Sequence, residues 1–453
     1  MKYRLDSGRL EERFAEWKPA YTKAEAIAEA NRCLYCSDAP CITACPTHID
    51  IPTFIKKIAS ENVAGSARTI LSANVLGYSC ARVCPVEVLC VGKCVYNQWG
   101  RAPIQIGKLQ RFAVETAWNE GARGLFPKPL PATGKKVALV GAGPASVAAA
   151  AQLALAGHKA VVYEKGALPG GLNTLGIAPY KMQASDALDE IEWVADLELV
   201  EFRCGVEVVE RVSGDGQVAA SSLLEEYDAV FLAIGIGGDA MLGASAGAGP
   251  AERVVGATEW IERIKGDAAY RLPSNVERAV VIGGGNTALD AAHELRVLGV
   301  PEVYLVYRRS ETEMSGYAHE LSAARKDGVK LVENRAPLSY AVENGELRGL
   351  NVAHASAGRP VEGTAELFPA DFIVVAIGQD RARHTQLARL FPGVELDAKG
   401  RVVVDPATHR TGNRKVWSGG DCVNGGKEVV NAVEHAKIAV RDICNTLNGA
   451  HHG

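Results

Sequence analysis

Eight of the eleven cysteines fall between Cys33 and Cys94, and that crowding constrains the chain more than any other feature. The first run reads Cys33-x2-Cys36-x4-Cys41-x3-Cys45-Pro46. The second reads Cys80-x3-Cys84-Pro85, with Cys90 and Cys94 after it. Disulfide frameworks belong to small secreted domains. This chain has 453 residues and opens Met-Lys-Tyr-Arg-Leu-Asp, without the apolar core of a signal peptide. The expectation is a cytoplasmic protein whose cysteines ligate metal.

Spacing narrows the metal. The first run has the form of a ferredoxin-type run ending in Cys-Pro, in which the last cysteine ligates the other cluster. Three closely spaced thiolates cap one face of a cubane, and the fourth comes from a distant segment. Two runs of four therefore read as two 4Fe-4S clusters with exchanged ligands. Two zinc sites or unligated core cysteines are the alternatives. Zinc favours paired Cys-x2-Cys knuckles, and only Cys33/Cys36 forms one.

A capping box, Thr22-Lys23-Ala24-Glu25, starts a helix into the first cysteines, and helical spacing over 51–71 predicts another. The linker Gly121 to Gly134, with Pro127, Pro129 and Pro131, then separates two unlike compositions. Beyond it a strand, a glycine turn and a helix occur twice. The first set is Lys136 to Val140, then Gly141-Ala142-Gly143-Pro144-Ala145-Ser146; the second is Ala279 to Ile282, then Gly283-Gly284-Gly285-Asn286-Thr287-Ala288. Each is the start of a doubly wound dinucleotide fold, in which glycines let the backbone approach a pyrophosphate at a helix N-terminus.

The two turns differ in how the next strand ends. Glu164 ends the strand after the first turn, where a carboxylate accepts from a ribose hydroxyl; Pro144, Gly170, Gly171 and Leu172 suit a flavin. Arg308-Arg309 ends the strand after the second, where an arginine pairs with the 2′-phosphate of NADP and an acid would favour NAD. A solvated basic loop neutralised by Glu311 and Glu313 is the other reading. Val230 to Gly235 and Ile373 to Gly378 read as buried strands crossing between two dinucleotide domains. Gly419-Gly420-Asp421 offers a carboxylate for a ribityl hydroxyl, and a helix from about Glu428, through Val429 and Val430, points its N-terminus at the flavin.

The charge balance, 49 Lys plus Arg against 53 Asp plus Glu without a basic block, argues against nucleic acid. The longest apolar stretch, around 145–156, is too short for a bilayer. The fold class expected is α/β: a helical cluster domain (1–125), an FAD domain in two parts (126–236 and 381–453), and an NAD(P) domain (237–380) inserted in it.

Together these motifs resemble the flavin and cluster half of the dihydropyrimidine dehydrogenase family, found as a separate small subunit in the bacterial two-subunit enzymes. Its most specific parts are Cys45-Pro-Thr-His-Ile-Asp-Ile-Pro and Cys84-Pro-Val-Glu-Val-Leu-Cys-Val-Gly-Lys-Cys94. The small subunit of glutamate synthase is similar in plan, though this cysteine block fits it less well. The resemblance implies one cluster on Cys33, Cys36, Cys41 and Cys94. It implies another on Cys45, Cys84, Cys90 and Gln110, leaving Cys80 a spare core cysteine; spacing alone would choose Cys80. It also implies FAD on the first turn and nicotinamide on the second, through Gly284, Gly285, Asn286, Thr287, Arg308 and Arg309. The NADPH-using eukaryotic enzyme has a further arginine where this chain has the neighbourhood of Ser315, so NADH is plausible too.

The function implied is electron input: hydride transfer from NAD(P)H to FAD, then single-electron transfer through the clusters to an FMN/iron–sulfur partner subunit that reduces uracil or thymine. No catalytic acid or base is required for the first step, because the cofactors carry the chemistry. The chain ends at Gly453 with room for neither an FMN barrel nor further clusters, hence the expected heteromer. Electron input to glutamate synthase or another acceptor enzyme is the alternative.

Overall fold

The computed structural model describes residues 3–122 and 124–449. Met1 and Lys2 of the N-terminal stretch, Arg123 of the linker and residues 450–453 lie outside the described residues.

The N-terminal third is helical: Lys23–Asn31, Pro40–Ala44, Ile51–Ala59, Val63–Ala73, Gly77–Val83 and Ile106–Asn119. The capping box forms, with Thr22 Oγ1 accepting from the Glu25 N–H and the Glu25 carboxylate accepting from the Thr22 N–H at 2.8 Å. The single helix predicted over 51–71 is two helices. Glu61 turns left-handed at φ 60°, and Asn62 caps a new helix by accepting from the Gly65 N–H at 3.0 Å. Asparagine gains more at such a cap than inside a helix, so the apolar spacing runs on while the backbone folds back. The fold-back brings Phe54, Ile55 and Ile58 against Ile70, Leu71 and Leu109, all of them fully buried. Each contributes about 1.5–3 kcal/mol of burial.

Two five-stranded parallel sheets make up the rest of the core. In the first, Lys136–Val140 lies between Lys159–Glu164 and Ala229–Leu232, and Val416–Ser418 from the far end of the chain adds to the latter. In the second, Arg278–Ile282 lies between Glu302–Val306 and Phe372–Val375. In each sheet the chain winds first to one side of the glycine-turn strand and later to the other. Both glycine turns therefore stand at the switch point, where a crevice opens at the carboxyl ends of the strands. An antiparallel meander (Arg335–Glu343, Glu346–Ser356, Arg359–Pro369) packs on the second sheet. Among the described residues no helix is long and apolar enough to cross a membrane.

The cysteine helices are fastened to the first sheet domain by buried polar contacts. Glu190, on helix Ala184–Ala195, accepts from the N–H groups of Tyr78 and Ser79 at 2.8 and 3.1 Å. It thereby caps the helix that carries Cys80 and Cys84. Burial pushes its carboxyl up to about 7, against the pull of those hydrogen bonds. Helix Val429–Leu447 makes the second fastening, with Lys437 Nζ donating to the Thr47 carbonyl at 2.9 Å, two residues after Cys45.

Candidate cofactor cleft and cysteine clusters

Both glycine turns open on one cleft of about 2230 Å³. At the first turn Gly141 is left-handed (φ +85°), and a side chain there would meet the Ala233 carbonyl at 2.5 Å. That glycine is required by the fold. Gly143 is different: its φ is ordinary and a Cβ would meet nothing within 4 Å. The space beside Gly143 belongs to the cleft, as do Pro144, Ala145, Gly171 and Leu172. Ser146, fully buried, is not among the residues that line the cleft, and its Oγ has no hydrogen-bond partner among the described residues. The open cradle beside Gly143 at a helix N-terminus fits a pyrophosphate. Glu164 is fixed at the rim by accepting from the N–H groups of Ala142 and Gly166 at 2.8 and 2.7 Å, and each oxygen keeps a further lone pair.

Asp421 lines the opposite wall, its carboxyl raised by burial, and accepts from the Lys427 N–H at 3.2 Å. Gly420 (φ +78°) brings that wall within 3.2 Å, Cβ to Cβ, of Ala145 were it substituted. Val429 and Gly378 also face the cleft. Val430 does not: it is buried among Cys45, Ile49 and Val91, so it joins the flavin-side helix to the cysteine core. These residues fit FAD.

The second turn is built alike. Gly284 is required because a side chain would strike the Tyr307 ring at 2.6 Å; Gly285, Asn286 and Thr287 line the cleft. Asn286 Oδ1 accepts from the Tyr317 N–H at 2.9 Å. The two arginines part company. Arg308 lines the cleft, and Arg309 packs its side chain over Gly358, a residue of the meander turn that itself lines the cleft. Ser315 lines the cleft beside Gly285, supplying a hydroxyl but no cation.

The cysteines fall into two groups. Cys33 feels Cys36 and Cys94, and Cys41 feels Cys33 and Cys94. Cys84 hydrogen-bonds Cys80 and feels Cys90 and Cys45. Burial, then the neighbouring thiols, pushes Cys41 up to about 12; burial and Cys45 do the same to Cys90. Among the described residues no three His, Cys, Asp or Glu side chains converge on a single-ion site. Ionising such crowded thiols together requires compensating positive charge, which cluster iron supplies, so the donor set fits.

The second group holds one thiol more than the resemblance implies. Cys80 stands beside Cys84, and Gln110 reaches the same helix by donating Nε2 to the Gly77 carbonyl at 2.7 Å. Both remain candidates for the fourth ligand. An amide in place of a thiolate makes a cluster less negative and raises its potential. Gln110→Cys is therefore expected to lower one cluster potential while keeping about eight irons per chain. Gln110→Ala should alter the paramagnetic resonance of one cluster. Unchanged spectra there, together with a cluster lost in Cys80→Ser, would transfer the ligand role to Cys80.

Residues 10–122 match the family model described as dihydropyrimidine dehydrogenase domain II, 4Fe-4S cluster. Residues 135–436 match that for pyridine nucleotide-disulphide oxidoreductase. The chain belongs to the pyridine nucleotide-disulphide oxidoreductase family. This family member is 33% identical to the NAD-dependent dihydropyrimidine dehydrogenase subunit PreT of Salmonella typhimurium, over 96% of this chain and 97% of that one. It is 32% identical to the glutamate synthase (NADPH) small chain of Halomonas elongata, over 96% of this chain and 93% of that one. FprA of Mycobacterium tuberculosis shares the fold at TM-score 0.52 and 20% identity, covering 71% of this chain and 86% of that one. The chain is thus an NAD(P)H-dependent oxidoreductase of flavoprotein fold with an N-terminal iron–sulfur domain.

Sequence reasoning passed over part of this oxidoreductase's cleft. Val83 and Pro85, flanking Cys84, line it. So do Lys181, Asp290, Tyr317, Glu320 and Glu428, which converge from distant segments. The one local signal was the position of Tyr317 and Glu320 shortly after Arg308-Arg309; the Tyr317 hydroxyl finds Glu428, 111 residues away, and Glu320 finds Lys181, 139 residues away.

Proposed function

We propose that this chain is the electron-input subunit of a dihydropyrimidine dehydrogenase: it oxidises NAD(P)H and delivers electrons through two 4Fe-4S clusters to an FMN-containing partner that reduces uracil or thymine. The observation that carries the reading is the position of Cys84, between two residues that wall the dinucleotide cleft. The second cysteine group therefore adjoins the cleft, and its Cys90 feels Cys41 of the first group. Bound FAD supplies the chemistry of accepting a hydride and releasing electrons singly. The chain's own residues bind and orient. Gly143 and the helix N-terminus at Pro144 receive the pyrophosphate, Glu164 the ribose and Asp421 the ribityl chain. Asn286 and Thr287 receive the nicotinamide dinucleotide, with Arg308 toward its adenosine end. Val429 and Val430 fill the wall between cleft and cysteines and exclude water from it. The PreT relative is a subunit and the glutamate synthase relative a small chain, which supports a heteromer.

Anaerobic mixing tests the reading. NADH or NADPH should bleach the flavin at once; a flavin that stays oxidised with both would reduce the chain to a passive relay. In the same experiment Arg308→Ala is expected to weaken NADPH about tenfold or more, the scale of a charge-assisted phosphate contact, and NADH far less. Arg309→Ala should leave both within about twofold. Equal losses of NADH and NADPH in Arg308→Ala would leave that residue as ordinary positioning charge.

A further inference from the structure

Tyr317 is bonded to both sides of the cleft. Its N–H donates at 2.9 Å to Oδ1 of Asn286, the first residue of the helix after the second glycine turn. Its hydroxyl donates at 2.8 Å to Glu428, the N-cap of helix Val429–Leu447 on the flavin side. Burial and the Glu428 carboxylate raise the phenol above its ordinary value, so it remains a donor near neutral pH. The ring is backed by two others. His319 stacks on it at 5.6 Å between ring centres, inclined by 12°, and Trp17 stacks on His319 at 6.3 Å and 16°. Trp17 comes from the N-terminal segment. Its N–H donates to the Tyr180 carbonyl at 2.9 Å, and nearby Leu10 and Phe14 are buried in the core of the second sheet domain.

The two sheet domains are joined by two chain crossings, which meet in a bridge between Asp239 and Gln379. Two crossings make a hinge, and contacts across the cleft set its angle. Lys181 supplies one such contact, reaching Asp290 and Glu320 at 2.8 and 2.7 Å. That tie acts on the loop before helix Ala184–Ala195, whereas the Tyr317 hydroxyl acts on the N-terminus of helix Val429–Leu447. Asn286, Tyr317 and Glu428 all line the cleft, so the second tie spans the space in which a nicotinamide ring and a flavin would meet. Hydride transfer is sensitive to such spacing: a misplacement of about 1 Å costs up to about a hundredfold in rate.

We propose that Tyr317 is a positioning residue for hydride transfer, setting the separation of the two dinucleotide sites through Asn286 on one side and Glu428 on the other. The inference rests on the nicotinamide reading of the second turn, and the experiment separates the two. Binding of NAD+ and NADP+ to the oxidised holoprotein is followed by perturbation of the flavin absorbance, without turnover. The rate of flavin bleaching at saturating NADH or NADPH is then recorded anaerobically, with the long-wavelength charge-transfer absorbance of the nicotinamide–flavin pair. Tyr317→Phe keeps the stacked ring and removes the hydroxyl. It should leave Kd within about twofold, lower the saturating rate about tenfold or more, and weaken the charge-transfer band. Glu428→Ala should reproduce that pattern, and it carries the test if Tyr317→Phe fails to retain flavin. Glu428→Gln keeps an acceptor oxygen and should recover most of the rate. A raised Kd with an unchanged saturating rate would make Tyr317 a plain dinucleotide contact. Unchanged Kd, rate and band would leave the spacing to the Lys181 tie. Either result overturns the proposal while leaving the nicotinamide site intact. A wild-type protein that binds neither dinucleotide would overturn the site and the proposal together.

Discussion

Alone, the chain is expected to pass electrons from NAD(P)H to ferricyanide or a small dye and to leave uracil and thymine unreduced. On the proposed reading the cleft supplies the binding groups for hydride acceptance, and a small dye would reach a flavin there directly. In the proposed division of labour the cleft serves the dinucleotides and pyrimidine reduction belongs to the FMN partner. Mixed with its FMN partner, the chain should support pyrimidine reduction. Cys84→Ser or Cys90→Ser should take that coupled rate to background, since the neighbours of Cys84 wall the cleft and Cys90 feels Cys41 of the first group. Dye reduction should survive wherever the flavin domains remain folded, as the visible flavin spectrum would report. Pyrimidine reduction by the purified chain would end the subunit model. Coupling to glutamate formation in place of pyrimidines would give the role to the glutamate synthase reading, which the 32% identity to that small chain keeps in play.

The second large effect is expected at Gly143. A valine there meets no protein atom within 4 Å of its Cβ, and the backbone at φ −69° suits it, so the fold should tolerate the change. The isopropyl group would occupy the space assigned to the pyrophosphate and block the helix N-terminus behind it. Gly143→Val should therefore purify folded but nearly colourless, with FAD affinity reduced more than about a hundredfold, or roughly 2.7 kcal/mol. Circular dichroism and flavin content measured on the same sample make the check. Gly141→Val is the contrast: a left-handed backbone and a carbonyl 2.5 Å from the new Cβ should destabilise the domain itself. Full flavin content in folded Gly143→Val would move the pyrophosphate off the first glycine turn.

Several features were legible in the chain because their causes are local. The two strand–glycine–helix units need only a run of β-branched residues, glycines where the backbone must turn, and a helix start; these lie within a dozen residues of one another. Cysteine density and Cys-Pro endings are likewise written in adjacent positions. The inserted order of the domains came from the repetition, and the first sheet does take its last strand, Val416–Ser418, from beyond the second sheet.

Where neighbours come from afar, only the tertiary structure decided. The fold-back at Glu61-Asn62 interrupts an apolar pattern that periodicity alone reads as continuous, because a cap there lets two helices bury their faces on each other. Arg308 and Arg309 are adjacent in sequence, yet Arg308 lines the cleft while Arg309 lies against Gly358 of a distant hairpin at its edge. Val430 turns from the cleft into the core cluster that also holds Cys45 and Val91. Cys80 meets Cys84 one helical turn away, and Cys45 and Cys90 come to that pair from outside its helix. The open oxygen of Glu320 is visible only once Lys181, 139 residues earlier, has claimed the other. Backbone conformation is set within a few residues, whereas a side chain's partners are set by which surfaces the whole chain packs together.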